Sequence, residues 1–242
     1  MKVVGHEFSV SQFVPPAITR FTKRGLEPNP LIPHVDESFE SFSQYQEDVL
    51  VDSLLGFKDR GIYVDVGAND PIVLNNTYRF YRRGWHGINI EPNPELFRKL
   101  EDCRRRDVNI NIGIGEKEQI MKFYEMSEST LSSFDHDSAM EGAKKSGNAT
   151  LRRTIDVQVI PLHKVLSTHL GGEEIDLMSI DAEGYELHIL KSNQWKMFCP
   201  RVMLIEMNHA KPEREEIIKL LGANNYKLVY NNTCNGIFLR MN

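Results

Sequence analysis

At 242 residues, with 40% hydrophobic and 26% charged content, the chain has the make-up of an ordinary soluble domain with extensions and can bury a substantial core. Its net charge of -5 argues against nucleic acid as the main partner, because Lys and Arg dominate binding to phosphates. The three cysteines, Cys103, Cys199 and Cys234, form no CxxC pair, no apolar run nears the roughly 20 residues of a membrane span, and the N-terminus has no signal-peptide core, so the expectation is a soluble cytoplasmic protein without an integral membrane segment, disulfide framework or structural zinc.

Two domains of unequal order are expected: an irregular N-terminal arm over residues 1–40 and an α/β domain over 41–242. Pro15, Pro16, Pro28, Pro30 and Pro33 interrupt any helix or strand period in the arm. It reads as draped over the domain or over a partner subunit of a homodimer, with a lid over the acceptor site as the alternative. Ser43-Gln44-Tyr45-Gln46-Glu47-Asp48 then opens a helix. Ser43 is read as its N-cap and Gln46 as the second member of a capping box. Capping leaves Gln44, Tyr45 and Asp48 unexplained.

Ile62-Tyr63-Val64-Asp65-Val66 reads as a buried parallel strand ending at Gly67, where the chain turns through Ala68, Asn69 and Asp70. A short helix around Tyr78 to Arg83 stops at Gly84. A second strand, Gly87 to Glu91, ends in a carboxylate 24 residues after Gly67, close to the spacing at which nucleotide-binding sheets offer an acid to a ribose. Pro94 suits the first turn of the helix that follows. A third strand is expected across Val108 to Ile114, and further alternating runs at 119–124 and 155–160 bracket a polar segment, 127–150, too long for an ordinary connection.

The strand-helix rhythm then returns. Ile175 to Asp181 is a strand ending in a carboxylate, and Ala182-Glu183-Gly184-Tyr185-Glu186 starts a helix. Pro200 to Glu206 is a strand running into Met207-Asn208-His209, a helix follows at about 212–222, and a hairpin pairs 226–230 with 236–240. The fold class is therefore α/β, a Rossmann-like, mostly parallel sheet that finishes on an antiparallel hairpin, as class I methyltransferases do.

The turn after the first strand either only ends the strand or bears on the cofactor class. A dinucleotide needs successive glycines to bring a helix N-terminus to its pyrophosphate, whereas Gly67 stands alone before Ala68, Asn69 and Asp70. An uncharged or cationic cofactor fits better, and S-adenosylmethionine has no phosphate, a sulfonium and an amino-acid tail. The alternative, an NAD-dependent sugar oxidoreductase, would share the ribose acid, but this chain has neither those glycines nor a Tyr-x-x-x-Lys pair in its second half. A catalytically inactive scaffold would not need the acids at Asp65, Glu91 and Asp181.

Four stretches in order, SQYQED, VDVGAND followed by Thr77, GWHGINIEPNPELF and IDAEGYELHIL, resemble the FkbM family of S-adenosylmethionine-dependent methyltransferases over about residues 43–207. The resemblance implies that Asp65, Gly67 and Asn69 line the methionine end of the cofactor and that Glu91 holds the ribose. It further implies that Pro92 and Asn93 shape the turn beside the adenosine, that Thr77 steadies the opening loop, and that Gln44 and Asp48 reach the cofactor. The branch it is most similar to methylates hydroxyls of sugars or related acceptors, which suggests a small-molecule or glycan acceptor, nucleotide- or lipid-linked, in surface polysaccharide biosynthesis. Residues 1–40 and 127–150 lie outside the firm part of the match.

Asp181, at a central strand end beside the cofactor turn, is the first candidate for the base that takes a proton from an acceptor hydroxyl, or for a residue that orients the acceptor. Glu183 is a second catalytic candidate or else a cap for the helix beginning at Gly184. His209 either shares the base role or is an ordinary surface residue. Asp181, Glu206 and His209 also have the chemistry to hold a divalent cation, but nothing in their spacing demands one, and metal-free catalysis is expected. The polar stretch 127–134 covers adenosine or acceptor, or is a surface loop, and Lys144, Lys145, Arg152 and Arg153 form a solvated face or a phosphate-recognition patch.

Overall fold

The computed structural model describes residues 40–208, 211–232 and 234–241. The expected arm, apart from its last residue, and His209 lie outside them.

After a helix α1 (Glu47–Leu54), the chain lays down β1 (Ile62–Val66), α2 (Tyr78–Arg82), β2 (His86–Ile90), α3 (Pro94–Cys103) and β3 (Val108–Ile110). It leaves the sheet for β4 (Gly113–Ile114), β5 (Gln119–Met126), α4 (His136–Ser146), β6 (Leu151–Ile160) and α5 (Leu162–His169). It then returns with β7 (Leu177–Ile180), α6 (Glu186–Lys191), β8 (Val202–Glu206), α7 (Lys211–Ala223), β9 (Tyr226–Asn231) and β10 (Asn235–Arg240). The main sheet has seven strands in the order β3-β2-β1-β7-β8-β10-β9. All neighbours through β8 run parallel, and β10 is antiparallel to both β8 and β9. This is the mostly parallel Rossmann-like sheet with a terminal hairpin that the sequence leads one to expect.

Every residue of β1, β7 and β8 is buried, because helices cover both faces. Alternation sorts them. Ile62, Val64, Val66, Met178, Ile180, Met203 and Ile205 face the cluster formed by α5, α6 and α7 through Leu166, Leu190 and Leu221. Tyr63, Leu177, Val202 and Leu204 face the opposite cluster of Leu50, Val51, Phe80 and Trp85, from α1, α2 and the turn after it. The strands advance outward from β1 to β3 and the chain then crosses back to β7, so the strand order reverses between β1 and β7. Ligands of such sheets bind at that switch point, beyond the carboxyl ends of the strands.

Two local expectations are corrected, and the long polar segment resolves into defined elements. The run 108–114 is not one strand: β3 pairs with β2 in the main sheet, whereas β4 pairs with β6 in a second, three-stranded sheet of order β4-β6-β5. Alternating apolar residues cannot show where a strand changes partner. The segment 127–150 is ordered, with a 3-10 turn over Ser129–Leu131 and α4, whose N-cap Asp135 accepts from Ser138 N and whose C-cap Gly147 is left-handed at φ 78. Ser43 is not an N-cap. The first helix starts at Glu47 behind Gln46, which is left-handed at φ 66 and makes no side-chain cap. Ser43 Oγ instead accepts from Asp48 N at 3.0 Å and donates to the Asp48 carboxylate at 2.9 Å. Among the described residues, no helix is long and apolar enough to cross a membrane.

Candidate active site

At the end of β1 the backbone turns at Gly67, whose φ of 79 belongs to the left-handed region that L side chains rarely adopt. Gly67 N and Ala68 N both donate to Ile90 O, at 3.0 and 3.2 Å, pulling the turn against the end of β2. On the other side Asp181 N donates to Val66 O at 3.0 Å. A Cβ on Gly67 would lie 1.8 Å from Asp181 O, so glycine is required here for both conformation and space. The turn joins the ends of β1, β2 and β7, and a cavity of about 290 Å³ opens over it.

Glu91 follows directly on β2 and is buried at 4% exposure. Its Oε2 accepts from Asn69 N at 2.8 Å and its Oε1 from Asn93 N at 2.7 Å, so the carboxylate ties the two turns together while facing the cavity. Burial pushes its carboxyl up to about 7, against the pull of those two backbone N–H groups. The side chain of Asn93 is the N-cap of α3, accepting from Glu95 N and Leu96 N, and Pro94 occupies the first turn. Pro92 and Asn93 both line the cavity beside Glu91.

Asp65, on β1, reaches the cavity from beneath the Gly67 turn. Its Oδ2 accepts from Thr77 Oγ1 at 2.8 Å, and Ser179 lies opposite it on β7. Thr77 is fully buried behind Asp65, away from the cavity surface. Gln44 lines the cavity, but Asp48 does not. The Asp48 carboxylate is buried and accepts from Ser41 Oγ, Phe42 N and Ser43 Oγ, so it organises the entry to α1 instead of facing the cavity. The acid shared by the SQYQED stretch is spent on its own backbone, which the motif alone does not reveal.

Across the cavity, Asp181 follows β7, Glu183 sits two residues on, and Glu206 ends β8. One carboxylate oxygen from each lies within 4.8 Å of the others. The parallel β7–β8 register brings Ile180 opposite Ile205, which places the residues after them side by side. Burial first, then the charges of Asp181 and Glu186, push the Glu183 carboxyl up to about 9. Burial and the same neighbours also hold the Glu206 carboxyl well above the usual carboxylate range. The cluster therefore retains protons near neutral pH and is suited to proton exchange. Glu183 does not cap a helix at Gly184: the helix begins at Glu186, and Glu186 caps its own entry by accepting from Ala182 N at 2.6 Å and Gly184 N at 3.1 Å. Glu183 itself is left-handed at φ 52, which frees its side chain toward the cavity that it lines.

The segment between β5 and α4 closes the remaining side. Ser129 Oγ donates to Asn69 Oδ1 at 2.9 Å, Ser133 Oγ donates to Glu183 O at 2.8 Å, and Leu131 and Phe134 supply apolar lining. Sequence reasoning missed these two bridges. It also missed the buried guanidinium of Arg104 behind Asp65, because a run of three arginines at a helix end does not say which one turns inward.

The cavity suits S-adenosylmethionine by the chemistry of its walls. It offers a buried acid for a hydroxyl pair, apolar surface from Leu96, Ile112 and Phe134, and an acid at the base of a glycine turn for a cationic tail. A family model described as the methyltransferase FkbM domain matches residues 65–228. No curated protein matches the chain. Solved structures with a similar course include a precorrin-6y C5,15-methyltransferase from Geobacter metallireducens at 13% identity and TM-score 0.44, covering 86% of this chain and 97% of that one. A Methanococcus jannaschii fibrillarin, described as a pre-rRNA processing protein, matches at 12% identity and TM-score 0.43, covering 79% and 74%. A Podospora anserina methyltransferase solved with SAH bound matches at 12% identity and TM-score 0.38, covering 99% and 100%.

Proposed function

The chain belongs to the FkbM methyltransferase domain family, and on that premise we propose that it is an O-methyltransferase acting on a hydroxyl of a sugar or a carbohydrate-linked acceptor. Its methyl donor is S-adenosylmethionine. Glu91 would take the ribose hydroxyls, with Pro92 and Asn93 beside the adenosine, and Asp65, Gly67 and Asn69 would hold the methionine end. When bound, the cofactor supplies the methyl group, its S–C bond breaking as the acceptor oxygen forms the new C–O bond.

The observation that carries the acceptor reading is the carboxylate cluster facing that turn. Asp181, Glu183 and Glu206 crowd one wall of the cavity at the ends of the central strands. A hydroxyl placed against them donates its hydrogen to Asp181, which takes the proton as the oxygen becomes an ether, while neighbouring Glu183 stays protonated and can donate to a second hydroxyl of a polyol. A sugar supplies both hydroxyls. The wider setting we infer is surface polysaccharide assembly, a capsule or O-antigen, with the acceptor free or linked to a nucleotide or lipid.

The test is transfer of labelled methyl from S-adenosylmethionine to glycans of cells lacking the gene, followed by mass analysis. One added methylene per repeating unit is expected. Asp181→Asn should lower kcat at least a hundredfold while leaving the affinity for S-adenosylhomocysteine within about threefold. Methyl incorporated only into amines or protein, or equal loss of turnover and cofactor affinity, would overturn the reading.

A further inference from the structure

Arg104 follows α3 and is fully buried, although the next two residues, Arg105 and Arg106, are exposed or nearly so. Its position behind the cofactor turn accounts for the difference. Nη2 donates to Thr77 Oγ1 at 2.7 Å and to the Tyr63 hydroxyl at 2.9 Å. Nη1 donates to Pro71 O at 2.9 Å and to Asn75 Oδ1 at 3.2 Å, and Nε to Asp107 at 3.0 Å. The rings of Tyr63, Tyr78 and Tyr81 surround the guanidinium, with centroids 5.4, 5.6 and 4.7 Å from its carbon.

These contacts have a direction. A guanidinium has only donors, so Thr77 Oγ1 must accept from Arg104, and its single hydroxyl proton points to the two acceptors beside it, Asp65 Oδ2 at 2.8 Å and Asn75 Oδ1 at 3.0 Å. Asn75, held by Arg104 through its oxygen, donates its amide to Ala68 O at 3.0 Å and to Asp70 O at 3.1 Å. One side chain thus fixes both the charge partner of Asp65 and the backbone of the turn after Gly67. The adenosine side, at Glu91 and Asn93, makes no contact with it.

We propose that Arg104 is a positioning residue for the amino-acid tail of S-adenosylmethionine: through Thr77 it holds the Asp65 carboxyl group in place as an acceptor for the tail's ammonium, and through Asn75 and Pro71 it fixes the backbone that the tail lies against. This rests on the cofactor placement given above. The groups that face Asp65 are Thr77, Arg104 and Asp107 from the loop and helix side, Ser179 from β7 and Glu91 from the end of β2. Burial pushes the Asp65 carboxyl up, while the Thr77 hydroxyl and the Arg104 charge pull it back down.

The experiment compares two ligands by calorimetry on the full chain. S-adenosylhomocysteine carries the amino-acid tail, and 5′-methylthioadenosine lacks it. Arg104→Met should weaken binding of S-adenosylhomocysteine at least tenfold and that of methylthioadenosine less than twofold. Arg104→Lys should recover part of the loss for S-adenosylhomocysteine. Equal losses for both ligands, or no loss, would overturn the proposal. If Arg104→Met does not fold, Thr77→Val breaks the same relay and must show the same tail-selective loss, and an unselective or absent loss overturns it. A wild-type protein that binds neither ligand removes the cofactor placement itself, whereas one that binds both, with no selective loss in the variants, removes only the role of Arg104.

Discussion

Ser129 and Asn69, 60 residues apart in the chain, meet in a 2.9 Å hydrogen bond at the cavity. The bond ties the segment leaving the three-stranded sheet to the Gly67–Asn69 turn of the main sheet, and Ser133, donating to Glu183 O, ties the same segment to the other side of the cavity. A net hydrogen bond contributes about 1 kcal/mol. Ser129→Ala should therefore weaken S-adenosylhomocysteine binding roughly fivefold, with little change in Tm. Calorimetry and a thermal melt check this, and an unchanged affinity would show that the segment does not close on the cofactor.

Gly67→Ala should be among the most damaging single changes to the domain. The new methyl would lie 1.8 Å from Asp181 O, a backbone atom that cannot move without displacing β7, and the φ of 79 disfavours any side chain. The expected loss is more than about 3 kcal/mol of stability, with binding of S-adenosylhomocysteine abolished. Chemical denaturation measures the first and calorimetry the second. A stable variant with intact binding would mean that β1 and β7 stand farther apart than they do here.

Glu91 ties a binding prediction to pH. With its carboxyl at about 7, it is largely protonated at pH 6 and largely ionised at pH 8. The ionised form accepts ribose hydroxyls better, so affinity for adenosine ligands should rise as pH rises through 7. Glu91→Gln should flatten this dependence and weaken binding about tenfold or more at pH 8. Titration calorimetry across pH 6 to 8 reads both, and a steep profile surviving in the variant would assign the titration to another group.

Glu183 supplies the corresponding stability prediction. Its carboxyl titrates at about 9 in the folded chain against 4.5 for the free side chain. As pH rises above 4.5 the unfolded chain releases this proton while the folded chain keeps it, so the unfolded state gains relative to the folded one until pH reaches about 9. Stability is thus greatest on the acid side of that window and is lost toward its alkaline end. Glu183→Gln, which is always neutral, should leave stability unchanged near pH 4.5 and raise it by about 1–2 kcal/mol at pH 8, allowing for solvent screening of a half-buried group. Denaturant melts at the two pH values test this. A variant less stable at pH 8 would mean that Glu183 is held ionised by a partner.

Activity should survive treatment with EDTA. Asp181, Glu183 and Glu206 bring three oxygens within 4.8 Å of one another, the hard-donor chemistry that Mg²⁺ or Ca²⁺ takes. The raised carboxyls of Glu183 and Glu206 mean that protons already balance much of that charge. Methyl transfer measured before and after chelation should agree within a factor of two; a loss restored by Mg²⁺ would convert the cluster to a cation site.

The sequence by itself determined the strand content, the hairpin finish and the pairing of Gly67 with an acid 24 residues on, because those features are local: apolar period, a lone glycine at a strand end, fixed spacing. The partners of each strand were decided only by tertiary structure, which is why 108–114 reads as one strand but serves two sheets. The same holds for the site. Asp65, Glu91, Asp181 and Glu183 stand out as acids at strand ends, and the fold brings them to one cavity. Asp48 stands out equally and turns away, because its nearest unsatisfied donors are the backbone and hydroxyls of 41–43. Arg104 and Ser129 depend on burial and on crossovers between distant segments. Residue type and spacing carry no record of which side of a sheet a loop returns to, and for these residues that return decides what they do.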